Sequence, residues 1–428
     1  MFIDSFPSRT SGGAMPWRRL AVGIAAALAI GAGAAHAADG LTLDQALRLA
    51  QTRSRALVAQ DATASAARDM AVAAGQRPDP TLKLGINNLP VNGADRFSLT
   101  RDFMTMRSIG VMQEFTREDK LKARAGRYER EAEVAEAGRS LALANLQRDT
   151  TMAWLDRFYQ ERVRDVLVTQ RDEARLQIDA ADAAYRGGRG TQADVFAARS
   201  AVAQIDDRIE QAERQVTTAR TQLARWIGPA ASDPLGSAPA LDAVRLRSQD
   251  LETQLAHHPE IAVMQKQEEV AQAEADLAQA NKKTDVSVEL MVSQRGPAYS
   301  NMVSLNVSIP LQWDQKNRQD RELSAKLASV EQKRAEREEA TRAHVAEALA
   351  MLQEWRSDRE RLTRYDNSLL PLANERTRAS ITAYRGNAGT LTAVLEARRA
   401  EIDTRVERLR LEMGAARLWA QLNYLVPV

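Results

Sequence analysis

The 428-residue sequence contains no cysteine and only four histidines. Without a thiol, the chain has no disulfide framework, no thiolate metal site, no cysteine nucleophile and no acceptor for an N-terminal lipid. It also lacks a Gly-rich phosphate loop, a His-Glu-x-x-His motif and a Gly-x-Ser-x-Gly motif. We therefore predict that the protein is not an enzyme, has no catalytic residues and uses no cofactor.

A large net charge of either sign is also lacking, since 59 Lys and Arg stand against 57 Asp and Glu, which gives a formal net charge of +2. A protein that binds nucleic acid keeps a basic excess that neutralises phosphates. The balanced charge therefore disfavours nucleic acid as a partner.

The N-terminal residues resemble an export signal. Arg18 and Arg19 precede an apolar run from Leu20 to Ala35, and Ala35-His36-Ala37 is a small-x-small cleavage site. This pattern predicts a signal peptide over residues 1–37, with Met1 or Met15 as the start. The run is shorter than the ~20 residues that span a bilayer, although an uncleaved anchor stays open as the alternative.

The remaining sequence contains one unit twice. Ala184–Thr191 recurs as Ala383–Thr390, with Tyr-Arg-Gly and Gly-Thr at matching positions 199 residues apart. Repeats of solenoid proteins are only about 20 to 50 residues long, so this spacing indicates a duplicated, domain-sized half. We predict a first repeat over residues 38–227, a linker over 228–248 that contains three prolines, and a second repeat over 249–428.

Helical patterns dominate each half. Apolar residues recur every three or four positions among charged residues, which is typical of amphipathic helices. The predicted helices are Leu43–Ala73, Asp119–Ala184 and Thr191–Trp226 in the first half and Gln249–Asn281, Gln319–Tyr384 and Thr390–Leu422 in the second. A helix of about 65 residues is roughly 98 Å long. We expect the two shorter helices of each half to pack end to end along the long one, and a solvated coiled coil without a channel stays open.

The two predicted long helices differ in their proline content. Pro371 lies in the second, whereas the first contains no proline from Leu121 to Ala184. Since proline removes one helical hydrogen bond and clashes with the preceding turn, we expect a kink only in the second long helix.

Four short segments alternate between apolar and polar residues. They are Thr81–Asn87, Ser108–Phe115, Val286–Ser293 and Ser304–Leu311. A period of two predicts strands, and in an exported protein it is typical of an outer-membrane barrel. Four strands cannot close a barrel, so we predict one shared among copies of the chain. A soluble four-stranded sheet packed on helices is the alternative.

Several motifs resemble those of the TolC-type outer-membrane efflux proteins, over essentially the whole mature chain. They are the opening Leu41–Leu47, the strand entry Pro78–Leu82 and both Tyr-Arg-Gly-x-x-Gly-Thr turns. The segments Asn87–Val91, Phe97–Met106 and Ser108–Phe115 are similar to the heavy-metal (CzcC/CusC) branch of that family. The resemblance implies a mainly α fold with a small β part, a homotrimer with one 12-stranded barrel in outer-membrane lipid, and a helical tunnel in the periplasm.

The same resemblance implies the function and the partners. It predicts the exit duct of a tripartite efflux system for heavy-metal cations, joined by a periplasmic adaptor to an inner-membrane transporter of the resistance-nodulation-division type. A drug-efflux or type I secretion duct would have the same sequence architecture. A structural coiled-coil protein of the periplasm is the second alternative.

The two turns are the candidate docking sites for the adaptor. We expect their glycines to supply positive φ, their threonines to cap the returning helices, and their Tyr and Arg to be exposed. The residues are Tyr185, Arg186, Gly187, Gly190 and Thr191 in the first turn and Tyr384, Arg385, Gly386, Gly389 and Thr390 in the second. We also expect positive φ at Gly188 of the first turn.

Two further groups are candidates for contact with cations. Asp179, Asp182 and Asp194 lie near the first turn, where threefold symmetry would turn each into an acidic ring. Met104 and Met106, and separately His257 and His258, are weak candidates for metal ligands. Adjacent histidines on one helix project about 100° apart, so the pair cannot chelate one ion together.

Overall fold

The computed structural model describes residues 40–246, 251–255 and 257–425, which lie in one compact unit. The predicted signal peptide 1–37 and residues 247–248 of the predicted linker lie outside the described residues. The described chain is mostly helical and contains one four-stranded sheet, which confirms the predicted fold class. Among these residues, no helix has both the length and the apolar composition needed to cross a membrane.

The helices follow the predicted order. They are α1 Leu43–Arg53, α2 Arg55–Ala74, α3 Glu118–Arg186, α4 Gln192–Ile227, α5 Leu251–Leu255, α6 Pro259–Asn281, α7 Gln319–Arg364, α8 Leu370–Arg385 and α9 Leu391–Asn423. A 3-10 turn, Gly228–Ser232, follows α4. In the first half, α2 and α4 both pack on α3, and in the second, α6 and α9 pack on α7. The long helices therefore have interrupted partners, as predicted.

The helix α3 is 69 residues long without a break, or about 104 Å at 1.5 Å per residue. Its middle lies in the main core, where Trp154 and Leu155 are fully buried. Trp154 Nε1 donates to the carbonyl of Leu41 at 3.1 Å, and Leu41 pairs with Leu235 of the linker in a parallel bridge. The start of the described chain and the linker are therefore both fixed to the centre of α3.

The opening helix of each half is broken, which corrects the two long predictions Leu43–Ala73 and Gln249–Asn281. Ser54 separates α1 from α2 and accepts a hydrogen bond from the N–H of Leu57 at 3.4 Å, as a helix N-cap does. In the second half, Pro259 is the first residue of α6. Since proline has no N–H and fits the first helical turn, it starts a new helix there.

The second long helix is interrupted where the proline predicts it. A π-helical stretch, Tyr365–Leu369, separates α7 from α8 and ends two residues before Pro371. The missing N–H of Pro371 leaves the carbonyl of Asn367 without its helical donor, and π-helical turns accommodate such a loss. Since α3 has no such stretch, the first helical hairpin, formed by α3 and α4, is more regular than the second, formed by α7, α8 and α9.

The sheet has the order β1-β2-β3-β4, and each neighbouring pair is antiparallel. Its strands are β1 Thr81–Asn87, β2 Met106–Phe115, β3 Val286–Gln294 and β4 Met302–Ser308. Thus β1 has the predicted bounds and β2 begins two residues earlier than predicted. The predicted end of the fourth strand at Leu311 is wrong because the strand stops before Pro310, which has no N–H for a ladder.

Candidate functional site

The turn between α3 and α4 combines close packing of the backbone with one residue of positive φ. Gly187 ends α3 with an ordinary φ of −82°, whereas Gly188 has a φ of 67°. A Cβ on Gly190 would lie 3.2 Å from the Cβ of Ala184 and 3.3 Å from the backbone nitrogen of Tyr185. Gly190 is thus required for close approach of the returning chain. The prediction of positive φ is confirmed for Gly188 and wrong for Gly187 and Gly190.

In the turn between α8 and α9, the positive φ is supplied by an asparagine and not by a glycine. Gly386 has a φ of −77°, and the positive φ of 60° belongs to Asn387, at the position of Gly188. A Cβ on Gly389 would lie 3.1 Å from the Cβ of Ala383. The prediction of positive φ at Gly386 and Gly389 is therefore also wrong, and Gly389 repeats the close approach of Gly190.

Both threonines cap the returning helices as predicted. Thr191 Oγ1 accepts from the N–H of Asp194 at 3.2 Å, and Asp194 Oδ2 accepts from the N–H of Thr191 at 2.9 Å. The hydrogen bond from the Thr191 backbone lowers the pKa of the Asp194 carboxyl below its usual range. Thr390 Oγ1 accepts from the N–H of Ala393 at 3.2 Å, where the alanine offers no reciprocal group.

The predicted acidic residues of the first turn have different surroundings. Asp194 is the reciprocal cap of α4, and Asp182 forms an ion pair with Arg186 one turn later on α3. Asp179 is exposed and forms no ion pair within the described part of the chain. Local contacts therefore account for two of the three carboxylates, and the acidic ring stays a prediction.

The two turns of one chain lie against each other. Their contact is a small apolar cluster of Ala181, Val195, Ala198, Leu391 and Val394. Tyr384 packs against this cluster and is half-buried, which corrects the expectation that it is exposed, whereas Tyr185 and Arg385 are exposed as expected. The tips, defined as residues 178–198 and 381–395, therefore form one joint surface.

Polar contacts join the two hairpins above the tips. The buried Arg398 of α9 forms an ion pair with Glu173 of α3, and its guanidinium lies 3.5 Å from Gln170 Oε1. Within the second half, Thr377 Oγ1 of α8 donates to the carbonyl of Ala397 of α9 at 3.2 Å. Movement of one hairpin against the other requires the contacts of Arg398 with α3 to break.

At the opposite end of α3, one face of the sheet is apolar and exposed. Residues in register across the strands form two apolar rows. The rows are Leu82, Val111, Leu290 and Leu305, and Leu84, Ile109, Val292 and Val303, and each of these eight side chains is exposed. Contiguous apolar surface of this kind marks contact with lipid or protein.

The other face of the sheet is polar. Lys83 Nζ of β1 reaches across Gly110 of β2 and forms an ion pair with Glu289 Oε2 of β3 at 2.9 Å. Ser108, Ser293, Ser304 and Asn306 lie on the same face. The alternation is that of a sheet between an apolar medium and water.

Aromatic side chains lie beyond both ends of the strands. Trp313, between β4 and α7, is 88% exposed, and Phe115, the last residue of β2, lies at the same end of the strands. Phe97 and Phe103 are exposed in the loop between β1 and β2, at the other end. Aromatic residues in two belts are typical of the two interfaces of a membrane.

The residues predicted as metal ligands have different surroundings in the structure. Met104 lies in the loop before β2, and Met106 is the first residue of that strand, paired with Asn87. His257 is exposed, with its Nδ1 3.1 Å from the carbonyl of Thr253. His258 is buried instead against His344 of α7, with ring centroids 4.6 Å apart.

Sequence reasoning missed His344 because it is 86 positions from His258. The signal that could have found it is the antiparallel packing of α6 on α7, which brings oppositely charged residues of the two helices together. Residues of α6 that come earlier in the chain contact residues of α7 that come later, as in Glu274 with Lys326, Glu268 with Arg334 and His258 with His344. Burial lowers the pKa of His258 to about 4, and His344 adds to the effect, so His258 is neutral at physiological pH.

Comparison with known proteins was made by sequence and by structure. No protein-family model matches the sequence, and no curated protein does so either. The outer membrane protein VceC of Vibrio cholerae is similar in structure, with a TM-score of 0.73 and 17% identity over 90% of this chain and 95% of that one. The outer-membrane channel OprN has a TM-score of 0.74 and 16% identity over 90% of each chain.

The third comparison is with CusC, whose crystal structures concern folding and transmembrane channel formation. Its TM-score is 0.72, with 15% identity over 90% of this chain and 92% of CusC. Each of the three similarities covers at least 90% of both chains. The described chain therefore has the fold of the outer-membrane channel proteins.

Proposed function

We propose that three copies of this chain form a passive exit duct in the outer membrane. The observation that carries the proposal is the open sheet with an exposed apolar face. Within the described residues, β1 and β4 each pair with a strand on one side only. An open edge in lipid leaves backbone groups without hydrogen-bond partners, so pairing of β1 with β4 of another copy removes both free edges.

The number of copies follows from the space that a duct requires. Two copies would form an eight-stranded barrel, whose interior is only wide enough to be filled by side chains. Three copies give 12 strands, an even number within the range of outer-membrane barrels. The apolar rows then contact outer-membrane lipid, and Lys83, Glu289 and their polar neighbours line the lumen.

The helices extend the duct away from the membrane. With α3 about 104 Å long, the joint tips lie far from the sheet, where a periplasmic adaptor can dock. The resemblance to the TolC-type proteins supports an inner-membrane transporter of the resistance-nodulation-division type as the source of the driving force. The protein performs no chemistry on its substrate.

Heavy-metal cations are the substrate that we propose. The support is the similarity of residues 87–115 to the heavy-metal branch. A deletion strain should become sensitive to metal salts and regain resistance when the gene is restored. Sensitivity confined to organic drugs would indicate a drug-efflux duct instead.

The duct itself is tested by fractionation and conductance. The mature protein should sediment with the outer membrane, migrate as a detergent-stable trimer, and give uniform conductance steps in a planar lipid bilayer. Heat-denatured protein from the same preparation is the control. A soluble periplasmic protein without conductance would support the structural coiled-coil alternative.

A further inference from the structure

Two histidines and a glutamate converge beside the middle of α3. His258 is the N-cap of α6, Glu260 lies in the first turn of that helix, and His344 lies on α7. One ligand atom from each of the three lies within 4.8 Å of the other two. His344 Nε2 is 3.2 Å from Glu260 Oε2. These residues are referred to below as the His-Glu-His cluster.

We propose that the His-Glu-His cluster binds one Zn²⁺ ion or a similar divalent transition metal. Two imidazoles and a carboxylate form a donor set that zinc accepts, with water as the fourth ligand. Ligand atoms around a tetrahedral zinc are about 3.4 Å apart, given bonds of about 2.1 Å. Since the observed separations do not exceed 4.8 Å, rotation of the side chains brings them to an ion without movement of the helices.

The surroundings of the cluster favour a cation. The cluster borders a cavity of about 440 Å³ between α3, α6, α7 and the end of α9. Asp149 and Glu347 line the same cavity, and the one basic residue in its lining is Arg148, whose Nε lies 2.8 Å from Asp149 Oδ1. With Glu260, three carboxylates thus face one guanidinium. The cavity also has space for the water that would complete the coordination.

One existing contact competes with the metal. His258 Nδ1 accepts the N–H of Glu260 at 3.2 Å, and coordination through this nitrogen replaces that hydrogen bond. The positive end of the α6 dipole also opposes a cation, and the carboxylate of Glu260 offsets it. The competing contact is long for a hydrogen bond to nitrogen, so an ion with three protein ligands displaces it.

The metal would hold α6 to α7 near the centre of α3. His258 is 6% exposed and therefore faces the cavity rather than the solvent. Its neighbour His257 points away, to the carbonyl of Thr253. The proposal concerns a site within the helical part, and it does not depend on what the duct conducts.

The chain provides matched variants for a binding test. His257→Ala removes an adjacent, exposed imidazole and serves as the control. His344→Ala removes one ligand of the cluster. His258→Asn removes the other imidazole but leaves a residue that is among the best N-caps, so a lost ligand is distinguished from a lost cap.

The experiment titrates Zn²⁺ into full-length, untagged protein in detergent, in competition with a chromophoric chelator. Wild-type protein and His257→Ala should each bind one tight Zn²⁺ per chain. Affinity should fall at least about tenfold in His344→Ala and His258→Asn. X-ray absorption at the zinc edge of the wild-type complex should show two imidazole ligands per zinc, and this measurement requires no variant to fold.

Three results would overturn the proposal. They are the absence of a saturable site in the wild-type protein, equal affinity in the wild-type and His344→Ala proteins, and an absorption spectrum without imidazole ligands.

Discussion

The substitution Leu305→Arg places a positive charge in the middle of β4, on the apolar face of the sheet. Leu305 is 67% exposed and lies in register with Leu290 of β3. Its neighbour Asn306 lies on the polar face, in register with Glu289. The matched control Asn306→Arg therefore adds the same side chain to the same strand, one position away, on the side that we assign to the lumen.

The two environments predict different costs for the arginine. On the lipid side of a barrel, near the midplane, it should lower the free energy of unfolding by about 2–4 kcal/mol. This corresponds to roughly a 30- to 700-fold change in the folding equilibrium, at 1.4 kcal/mol for each factor of ten. On an exposed face in water, surface substitutions usually change stability by less than about 0.5 kcal/mol. Asn306→Arg should stay within that smaller range, because Glu289 attracts the added charge.

The assay is equilibrium refolding from urea into lipid vesicles, followed by the heat-modifiable migration of the trimer on gels. Wild-type, Leu305→Arg and Asn306→Arg proteins are compared at the same lipid ratio. Equal losses for the two variants, or no loss for Leu305→Arg, would refute the assignment of the apolar face to lipid.

Three other predictions concern the helical part. Gly190→Leu or Gly389→Leu should abolish export while the trimer still inserts, since each glycine is in close contact at a tip about 100 Å from the sheet. Export assays together with trimer gels check this prediction. Failure of the variants to assemble would show that the glycines determine folding instead. Pro371→Ala should restore a regular helix and change the resting conductance if the interruption sets the aperture; an unchanged conductance would refute that role. Because the pKa of Asp194 is lowered in the folded state, the stability that its cap contributes is present above the usual Asp pKa of about 3.9. That stability is lost as the pH falls through the lower folded-state pKa, so the wild-type tip should lose hydrogen-exchange protection in acid. The variant Asp194→Asn should remove most of that pH dependence.

Local sequence signals were sufficient for β1 and for α3. The alternation of Leu82, Leu84 and Ile86 gave β1 its bounds, and the absence of proline gave α3 its length. In these segments the periodicity of the side chains and the packing of the fold agree. Prediction succeeded where one repeating pattern fills the whole element.

Errors arose where a single residue overrides a pattern. Ser54 and Pro259 each start a new helix inside a continuous apolar periodicity. At the tips, the expected positive φ is found at Gly188 but not at the other four glycines, and in the second turn it belongs to Asn387. A turn type depends on backbone angles that composition alone does not specify.

The His-Glu-His cluster was beyond sequence reasoning for a different reason. His344 lies 86 positions after His258, so their contact depends on the register of α6 against α7. That register is set by the strands β3 and β4 and the connections that join the two helices. Long-range register of this kind becomes visible only when the elements are placed in space.

Cross-linking of the two sheet edges tests the central claim most directly. The chain has no cysteine, so Leu84→Cys in β1 can be combined in turn with Val303→Cys, Leu305→Cys or Val307→Cys in β4 without background. Within one chain these strands are three spacings of about 4.8 Å apart, beyond the Cα separation of about 4.4–6.8 Å that a disulfide bridges. In outer membranes, one of the three pairs should give covalent dimers and trimers and nothing larger, whereas each single-cysteine variant should stay uncross-linked. No cross-link in any pair, or a ladder that ends at two copies or extends beyond three, would contradict the shared barrel.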